Sequence, residues 1–229
     1  MFFSSVIGIL GPLLAICSPT LSSPLPLNND EPDLVVERDL AKRQGWYWSN
    51  WSEGGINLRC NNENGGSYST QWSGTGGFVC GKGWSRGSGR VVTYTGTYTP
   101  TGPGYLAVYG WTQNPLIEYY VIESHGDLAP NEPWTSKGNF TFEEGTYEIF
   151  QSTRVNKPSI EGTRTFQQYW SVRQEKRVGG SVTMQRHFDE WAKVGLRLGG
   201  HNYMILATEG YTAAGGNGSS GASSITLSS

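Results

Sequence analysis

The chain has 229 residues, with 17 Lys and Arg against 19 Asp and Glu and a formal net charge of −2. Five of the acids and three of the bases precede Gln44, so residues 44–229 carry 14 of each and no net formal charge. This balance argues against nucleic acid or an anionic membrane as a partner. The 186 residues from Gln44 onward suffice for one domain with a substantial core and do not require two.

The first segment predicts a secretory signal peptide at residues 1–17. Its apolar run is FFSSVIGILGPLLAI, with small residues near Ala15 and Cys17 at the end. A membrane anchor is the alternative, but the run is shorter than the roughly 20 residues that a spanning helix needs. Pro12 also interrupts it. We therefore expect a secreted, extracellular protein without a membrane partner.

Residues 18–43 predict a propeptide. They are rich in Pro, Asp and Glu and end in the dibasic pair Lys42-Arg43, which is typical of a processing site. The mature chain would then be a single domain of residues 44–229.

The composition after Gln44 favours an all-β domain. Gly, Ser, Thr, Tyr and Trp are frequent, whereas Leu, Ala and charged residues are sparse. Period-two alternation predicts strands in GSYSTQW, GRVVTYTGTY, YLAVYGW, LIEYYVI, YEIFQSTRV, RTFQQYWSVRQ and YMILATEGY. So many short strands in one domain predict a β-sandwich or jelly roll.

One segment, TMQRHFDEWAKVGL, has helical spacing instead. Met184, Phe188 and Trp191 recur on one face, and Thr183 is the predicted N-cap. We expect a single helix packed on a sheet, with His187 exposed or hydrogen-bonded and not catalytic. The tail GGNGSSGASSITLSS predicts a flexible insertion followed by a last edge strand, SITLS.

Two cysteines, Cys60 and Cys80, remain after Cys17 is assigned to the signal. In an oxidising compartment they form one disulfide or stay as two buried thiols. The sequence leaves both possibilities open because it does not place the two Cα atoms within about 7 Å. Triplets compatible with N-glycosylation occur at Asn50, Asn139 and Asn217.

Two glutamates lie in aromatic strands, where burying a carboxylate is costly unless it is paired or used. In LIEYYVI, alternation places Glu118 on the same face as Leu116 and Tyr120. Glu209 has a similar setting in ILATEGY, directly before Gly210. The other interpretation of either acid is a solvent-facing position on an edge strand.

The two glutamates are the strongest candidates for chemistry. The three histidines have no triad-like setting, and there is no Cys/His cluster suited to a metal. A pair of carboxyl groups can break a glycosidic bond, and the many Trp and Tyr side chains suit stacking on sugar rings. Core packing is the alternative role for a good share of these aromatics.

Three segments carry a specific resemblance: YLAVYGWTQNPLIEYYVIES, TRVNKPSIEGTRTFQQYWSVR and ILATEGY. They resemble the signature segments of the glycoside hydrolase family 11 xylanases. The similarity covers essentially the whole mature chain, from GWYWSNWSEGG through GGFVCGKGW and HFDEW to the final strand. It implies a β-jelly roll of two curved antiparallel sheets that form a cleft, with one short α-helix.

The resemblance also implies roles for single residues. The pattern PL-I/V-E-YY makes Glu118 the nucleophile and the pattern EGY makes Glu209 the acid/base of a retaining endo-1,4-β-xylanase. No cofactor is expected. Matching positions imply substrate contacts from Trp51, Tyr109, Tyr120, Arg154, Gln168 and Tyr211, and a thumb loop over the cleft at Pro158, Ser159 and Ile160.

One departure concerns Gly77 in GGFVCGKGW, where the family usually has Asn or Asp. A side chain that would touch the acid/base is missing, so Gly77 is expected to alter the pH behaviour. Asn50 and Cys80 also differ from the residues expected at their positions.

Three functional hypotheses follow. The chain is an active xylanase with xylan as its substrate and a monomeric state, a non-catalytic carbohydrate-binding or plant-defence-eliciting protein on the same scaffold, or a related sandwich glucanase. The presence of both glutamates argues against the second, and PLIEYYV with the PSI thumb argues against the third.

Overall fold

The computed structural model describes residues 45–128 and 131–228. The predicted signal peptide (1–17) and propeptide (18–43) lie outside these residues. The elements in chain order are β1 Tyr47–Asn62, β2 Ser67–Trp84, β3 Val91–Thr101, β4 Gly104–Gln113, β5 Ile117–His125, β6 Thr135–Phe142, β7 Gly145–Ser159, β8 Gly162–Arg173, β9 Gly180–Thr183, α1 Met184–Lys193, β10 Gly200–Gly210 and β11 Ser219–Ser228.

The strands hydrogen-bond in the order β6-β7-β8-β5-β4-β10-β2-β11-β3-β9, with β1 paired to β2. Strand β2 belongs to two layers: Ser67–Gly74 pairs with β11, and Phe78–Trp84 pairs with β10. We call the side of β10, β4, β5, β8, β7 and β6 the inner layer, and the side of β11, β3 and β9 the outer layer. The predicted all-β jelly roll of two layers with one short helix is confirmed.

One strand pair departs from the expected antiparallel arrangement. Strands β5 and β8 run parallel, with Glu118 opposite Gln168 and Tyr120 opposite Trp170. The other strand pairs of the described part are antiparallel. Parallel strands need a long crossover, which β6 and β7 provide here by forming a hairpin at the edge of the inner layer.

Alternation divides the inner layer into two apolar faces. Even-numbered residues of β4 and β10, such as Leu106 and Leu206, join Tyr68 and Ile225 of the outer layer in the core between the layers. Odd-numbered residues of the same strands form a second cluster on the opposite face, together with side chains from β5 and β8. Its buried members include Tyr105, Ala107, Tyr109, Trp111, Tyr120, Phe166, Trp170, Ile205 and Ala207.

Helix α1 begins after Thr183, as expected, but this residue does not cap the helix with its side chain. Its hydroxyl and its backbone N–H both donate to the Glu144 carboxylate instead. The helix buries Met184, His187 and Trp191, whereas Phe188 is only partly buried against the same core.

The prediction that His187 is exposed or hydrogen-bonded was wrong. Its side chain is fully buried, and neither ring nitrogen has a hydrogen-bond partner in the described structure. The ring packs edge-on against Phe140, Phe142 and Tyr147. Burial, with Arg177 and Arg173 nearby, lowers the pKa of His187 to about 3, so the imidazole is neutral and acts as a core side chain.

Cys60 and Cys80 are joined as a disulfide with their Cα atoms 6.5 Å apart. Cys80 lies in the half of β2 that pairs with β10. Cys60 lies in β1, opposite Thr70, and Thr70 belongs to the half of β2 that pairs with β11. The bond therefore links the two layers, beside the point where β2 passes from one layer to the other. No helix among residues 45–128 and 131–228 is long and apolar enough to span a membrane.

Candidate active site

The aromatic face of the inner layer forms a cleft with a cavity of about 410 Å³. All twelve residues that the sequence assigned to catalysis, substrate contact or pH tuning line this cavity: Trp51, Gly77, Tyr109, Glu118, Tyr120, Arg154, Pro158, Ser159, Ile160, Gln168, Glu209 and Tyr211. They come from strands β1, β2, β4, β5, β7, β8 and β10 and from the residues that follow β7 and β10.

Glu118 lies at the start of β5, is 8% exposed and accepts hydrogen bonds from three side chains. The hydroxyls of Tyr109 and Tyr120 donate to its Oε1 at 2.8 and 3.2 Å, and Gln168 Nε2 donates to Oε2 at 2.6 Å. Burial raises the pKa of Glu118, while these donors and Arg154 oppose the rise by stabilising the anion. The result is a carboxylate held in one orientation.

Two further contacts fix the donors of Glu118. Trp111 Nε1 donates to the Tyr109 hydroxyl at 2.6 Å. Trp170 Nε1 donates to Ser152 Oγ at 3.0 Å, and Ser152 in turn donates to Gln168 Oε1 at 2.9 Å. Because the Gln168 carbonyl accepts from Ser152, its NH₂ group must point toward Glu118.

Glu209 lies near the end of β10, and its environment differs from that of Glu118. Its Oε2 is buried and has no hydrogen-bond partner in the described structure. Burial and the neighbouring Glu118 raise the pKa of Glu209 to about 8, with a smaller contribution from Glu53, while Tyr120 and Arg154 oppose this rise. At neutral pH this carboxyl therefore holds a proton that it can donate.

Tyr120 connects the two acids. Its hydroxyl donates to Glu118 Oε1, and Tyr120 also opposes the rise in the pKa of Glu209. Arg154, on β7, pairs with Glu132 at 3.2 Å and places a positive charge near both acids.

Glu123, a second glutamate on β5, has a structural role and contrasts with Glu118. Glu123 is fully buried between the layers and pairs with Arg177. The hydroxyls of Tyr94 and Tyr147 also donate to it. This charge is compensated inside the fold and lies on the face opposite Glu118, so Glu123 has no access to the cleft.

The predicted thumb is the turn between β7 and β8. Ser159 Oγ donates to the Gly162 carbonyl at 2.6 Å and accepts from the Glu161 backbone N–H at 3.0 Å, which closes the turn. The Glu161 carboxylate accepts from Gln113 Nε2 at 2.8 Å. The tip of the thumb is thereby held to the end of β4, with Ile160 partly buried against the cleft aromatics.

Two predicted sugar-contacting aromatics differ in their exposure. Trp51 on β1 is 44% exposed and presents its ring to the cleft. Tyr211 is buried, and its hydroxyl lies 2.6 Å from that of Tyr105.

The comparisons with known proteins agree with this geometry. The profile of the family described as "Glycosyl hydrolases family 11" matches residues 43–223. The chain belongs to glycosyl hydrolase family 11.

Curated family 11 relatives are named as endo-1,4-beta-xylanases. Endo-1,4-beta-xylanase 4 of Pyricularia oryzae is 49% identical over 218 residues, covering 90% of this chain and 92% of the relative. Endo-1,4-beta-xylanase I of Cochliobolus carbonum is 56% identical over 171 residues, covering 75% and 77%. A solved structure from a comparison of two endo-1,4-beta-xylanases of Trichoderma reesei superposes with a TM-score of 0.72 at 41% identity, covering 80% of this chain and 98% of that one.

Several cleft residues of this family 11 chain were not predicted from the sequence. Trp111 and Tyr203 share the cleft-facing parity of Tyr109 and Glu209, so alternation could have identified them. Glu53 also shares the parity of Trp51, but alternation does not reveal its neighbours. Among the described residues, no group of three or more His, Cys, Asp and Glu side chains is arranged to hold a metal ion.

Proposed function

We propose that the chain hydrolyses internal β-1,4 bonds of xylan with retention, using Glu118 as nucleophile and Glu209 as acid/base. The supporting observation is that the two carboxyls line one cleft, where Glu118 raises the pKa of Glu209, while their hydrogen-bond environments differ. Retaining glycosidases place their two carboxyl groups only about 5–5.5 Å apart, which suits this arrangement. The names of the relatives support xylan as the substrate class.

In the first step, Glu209 donates its proton to the glycosidic oxygen as Glu118 attacks the anomeric carbon. The sugar–oxygen bond breaks, the leaving chain departs as an alcohol, and an ester forms between Glu118 and the remaining sugar. Tyr109 and Gln168 hold Glu118 in position for this attack. The raised pKa of Glu209 keeps the required proton in place at neutral pH.

In the second step, Glu209 acts as a base. Esterification removes the negative charge of Glu118, which is one cause of the raised Glu209 pKa. The pKa of Glu209 therefore falls in the intermediate. Its carboxylate takes a proton from water, the water oxygen attacks the anomeric carbon, and Glu118 leaves as a carboxylate. Both acids return to their starting states.

The aromatic walls and the thumb hold the polysaccharide. Flat apolar faces of sugars stack on rings such as Trp51, while Tyr211 and Arg154 offer polar contacts beside the acids. The thumb residues Pro158, Ser159 and Ile160 cover the cleft, and its opening would admit substrate and release product.

The protein is further proposed to be secreted and to act as a monomer after loss of residues 1–43. The family profile begins at residue 43, next to the Lys42-Arg43 pair, which supports a domain boundary there. N-terminal sequencing of the protein secreted by an expressing host tests this processing.

The test of the proposed function is xylan hydrolysis with identified product stereochemistry. Reducing sugar should be released from xylan and not from carboxymethylcellulose, and Glu118→Ala should lose nearly all of this activity. Proton NMR of the first products from a xylo-oligosaccharide should show the β-anomer. Early α-anomer would refute retention, and no product from the folded wild type would favour a binding protein on this scaffold.

A further inference from the structure

Strand β1 contains a β-bulge at the edge of the cleft. Ser52 lies opposite Phe78 and Gly54 opposite Gly77, so Glu53 is an extra residue in β1. Gly54 has a φ of 88°, in the left-handed region that favours glycine. A bulge places two residues opposite one on the partner strand. Glu53 and Gly54 are therefore both neighbours of Gly77.

The Glu53 carboxyl occupies the space beside Gly77. A Cβ built on Gly77 would lie 2.8 Å from Glu53 Oε1 and 3.3 Å from its Cδ. Gly77 itself is not in the positive-φ region, in contrast to Gly76 with a φ of 111°. The volume that a side chain at position 77 would fill is thus taken by the carboxyl of another residue.

This carboxyl also lies near the acid/base. Glu209 is opposite Val79 across β2 and β10, and Gly77 and Val79 both face the cleft. A side chain above Gly77 is therefore a diagonal cross-strand neighbour of Glu209. Glu53 makes no hydrogen bond or ion pair in the described part of the chain, so its carboxylate does not hold the fold together through such a contact.

Several other polar groups surround Glu209, and only some of them carry a charge near pH 7. Those that face it from the surrounding strands are Glu118 and Tyr120 of β5, Arg154 of β7, Tyr105 of β4, Tyr98 of β3, and Tyr211 just after β10. Burial raises the pKa of Tyr98, Tyr105 and Tyr120, so these phenols are neutral near pH 7. The charged neighbours are then Glu118, Arg154 and Glu53, of which Glu53 and Glu118 favour a protonated Glu209.

We propose that Glu53 is a positioning residue that replaces the side chain absent at Gly77 and helps to keep Glu209 protonated. This inference rests on the proposed role of Glu209 as acid/base. The supporting geometry is the bulge, the contact at Gly77 and the shared cleft wall. Glu53 acts through its charge and through the space it fills, and it takes no part in bond breaking.

Glu53→Gln tests the charge with almost no change in shape. Removing a like charge should lower the Glu209 pKa by a few tenths of a unit, and the basic limb of the kcat/KM profile should move to lower pH by the same amount. The shift should shrink in 1 M salt, because Glu53 is exposed and its field is screened over about 3 Å. Glu175→Gln, an exposed carboxylate outside the cleft, is the matched control.

Gly77→Asn tests the space. An amide at position 77 should displace the flexible end of Glu53, so the effect of Glu53→Gln should be much smaller in the Gly77→Asn background. Additive effects of the two changes would overturn the inference. So would a Glu53→Gln profile that matches Glu175→Gln.

Carbon-13 NMR titration of Glu209 separates this inference from the proposed function, because it needs no turnover. A lowered Glu209 pKa in Glu53→Gln protein that never hydrolyses xylan would support the coupling and overturn the proposed function. An unchanged Glu209 pKa in an active enzyme would overturn the coupling and leave the proposed function intact.

Discussion

Glu118 and Glu209 are the same side chain in two environments. Glu118 is surrounded by two phenol donors and an amide donor, whereas Glu209 has a buried oxygen without a partner. Donors stabilise the anion, and burial next to another carboxylate destabilises it. The proposed division of roles between nucleophile and acid/base therefore follows from what each oxygen touches.

The raised pKa of Glu209 predicts a cost in stability above acidic pH. Between the ordinary pKa of 4.5 and about 8, folded Glu209 holds a proton that the unfolded chain has lost. Because the folded state then binds more protons, the free energy of unfolding contributed by this group falls as pH rises through that window. Glu209→Gln should therefore be more stable than wild type at pH 8, by roughly 2 kcal/mol after allowance for water in the cleft.

Urea unfolding of both proteins at pH 4 and pH 8 measures this difference, which should nearly vanish at pH 4. Glu175→Gln should show no such pH-dependent gain. An equal stability of Glu209→Gln and wild type at pH 8 would contradict the raised pKa.

At the residue scale, alternation was a good guide to which face a side chain occupies. It placed Glu118 and Tyr120 on one face of β5, and the cavity lies on that face. It could not identify Glu53 as the neighbour of Gly77, because a bulge depends on pairing with another strand. It also missed the burial of His187, which follows from rings contributed by β6 and β7.

At the element scale, the thumb is a hairpin whose tip is tethered by one side chain. Glu161 accepts a hydrogen bond from Gln113 of β4. We expect Glu161→Ala to loosen the tip and to raise KM for xylan roughly two- to five-fold with little change in kcat, the loss expected from one partly exposed hydrogen bond.

Steady-state kinetics on a soluble xylan provide the measurement. Gln151→Ala is the control, because it removes the hydrogen bond that the Gln151 side-chain amide donates to Gln167 within the same hairpin, away from the tip. If both variants raise KM equally, the effect belongs to the hairpin as a whole and not to the tether.

Strand existence was easier to predict than strand pairing. The sequence indicated YLAVYGW and LIEYYVI as strands, and these lie in β4 and β5. It did not indicate that β5 and β8 run parallel, since pairing of distant strands is decided by the assembled core. The Thr183 hydroxyl likewise donates to Glu144 and does not cap the helix, because the Glu144 carboxylate reaches it from the turn between β6 and β7.

At the scale of the whole molecule, the disulfide between Cys60 and Cys80 joins the layers where β2 passes from one to the other. The two residues are separated by 20 positions, and closing a loop of that size stabilises a fold by about 3 kcal/mol in the chain-entropy account. We expect the double variant Cys60→Ala/Cys80→Ala to lose about this much unfolding free energy and to stay active at 25 °C.

Guanidinium unfolding of the double variant, beside wild type with and without reductant, measures the loss. Reduced wild type should approach the double variant. No change in the unfolding midpoint on reduction would show that the cysteines do not stabilise the fold.

The position of β10 has a consequence for how the protein is made. Glu209 follows Glu118 by 91 residues, and its strand inserts between β4 and β2, which were synthesised much earlier. At a translation rate of about 5–20 residues per second, the ribosome needs roughly 5 to 20 s to reach Glu209 after Glu118. During that interval the facing edges of β2 and β4 have no partner, which is when a nascent β protein is most prone to aggregate. A chain released before Glu209 lacks the proposed acid/base altogether, so under the proposed mechanism we expect a truncated product to be inactive.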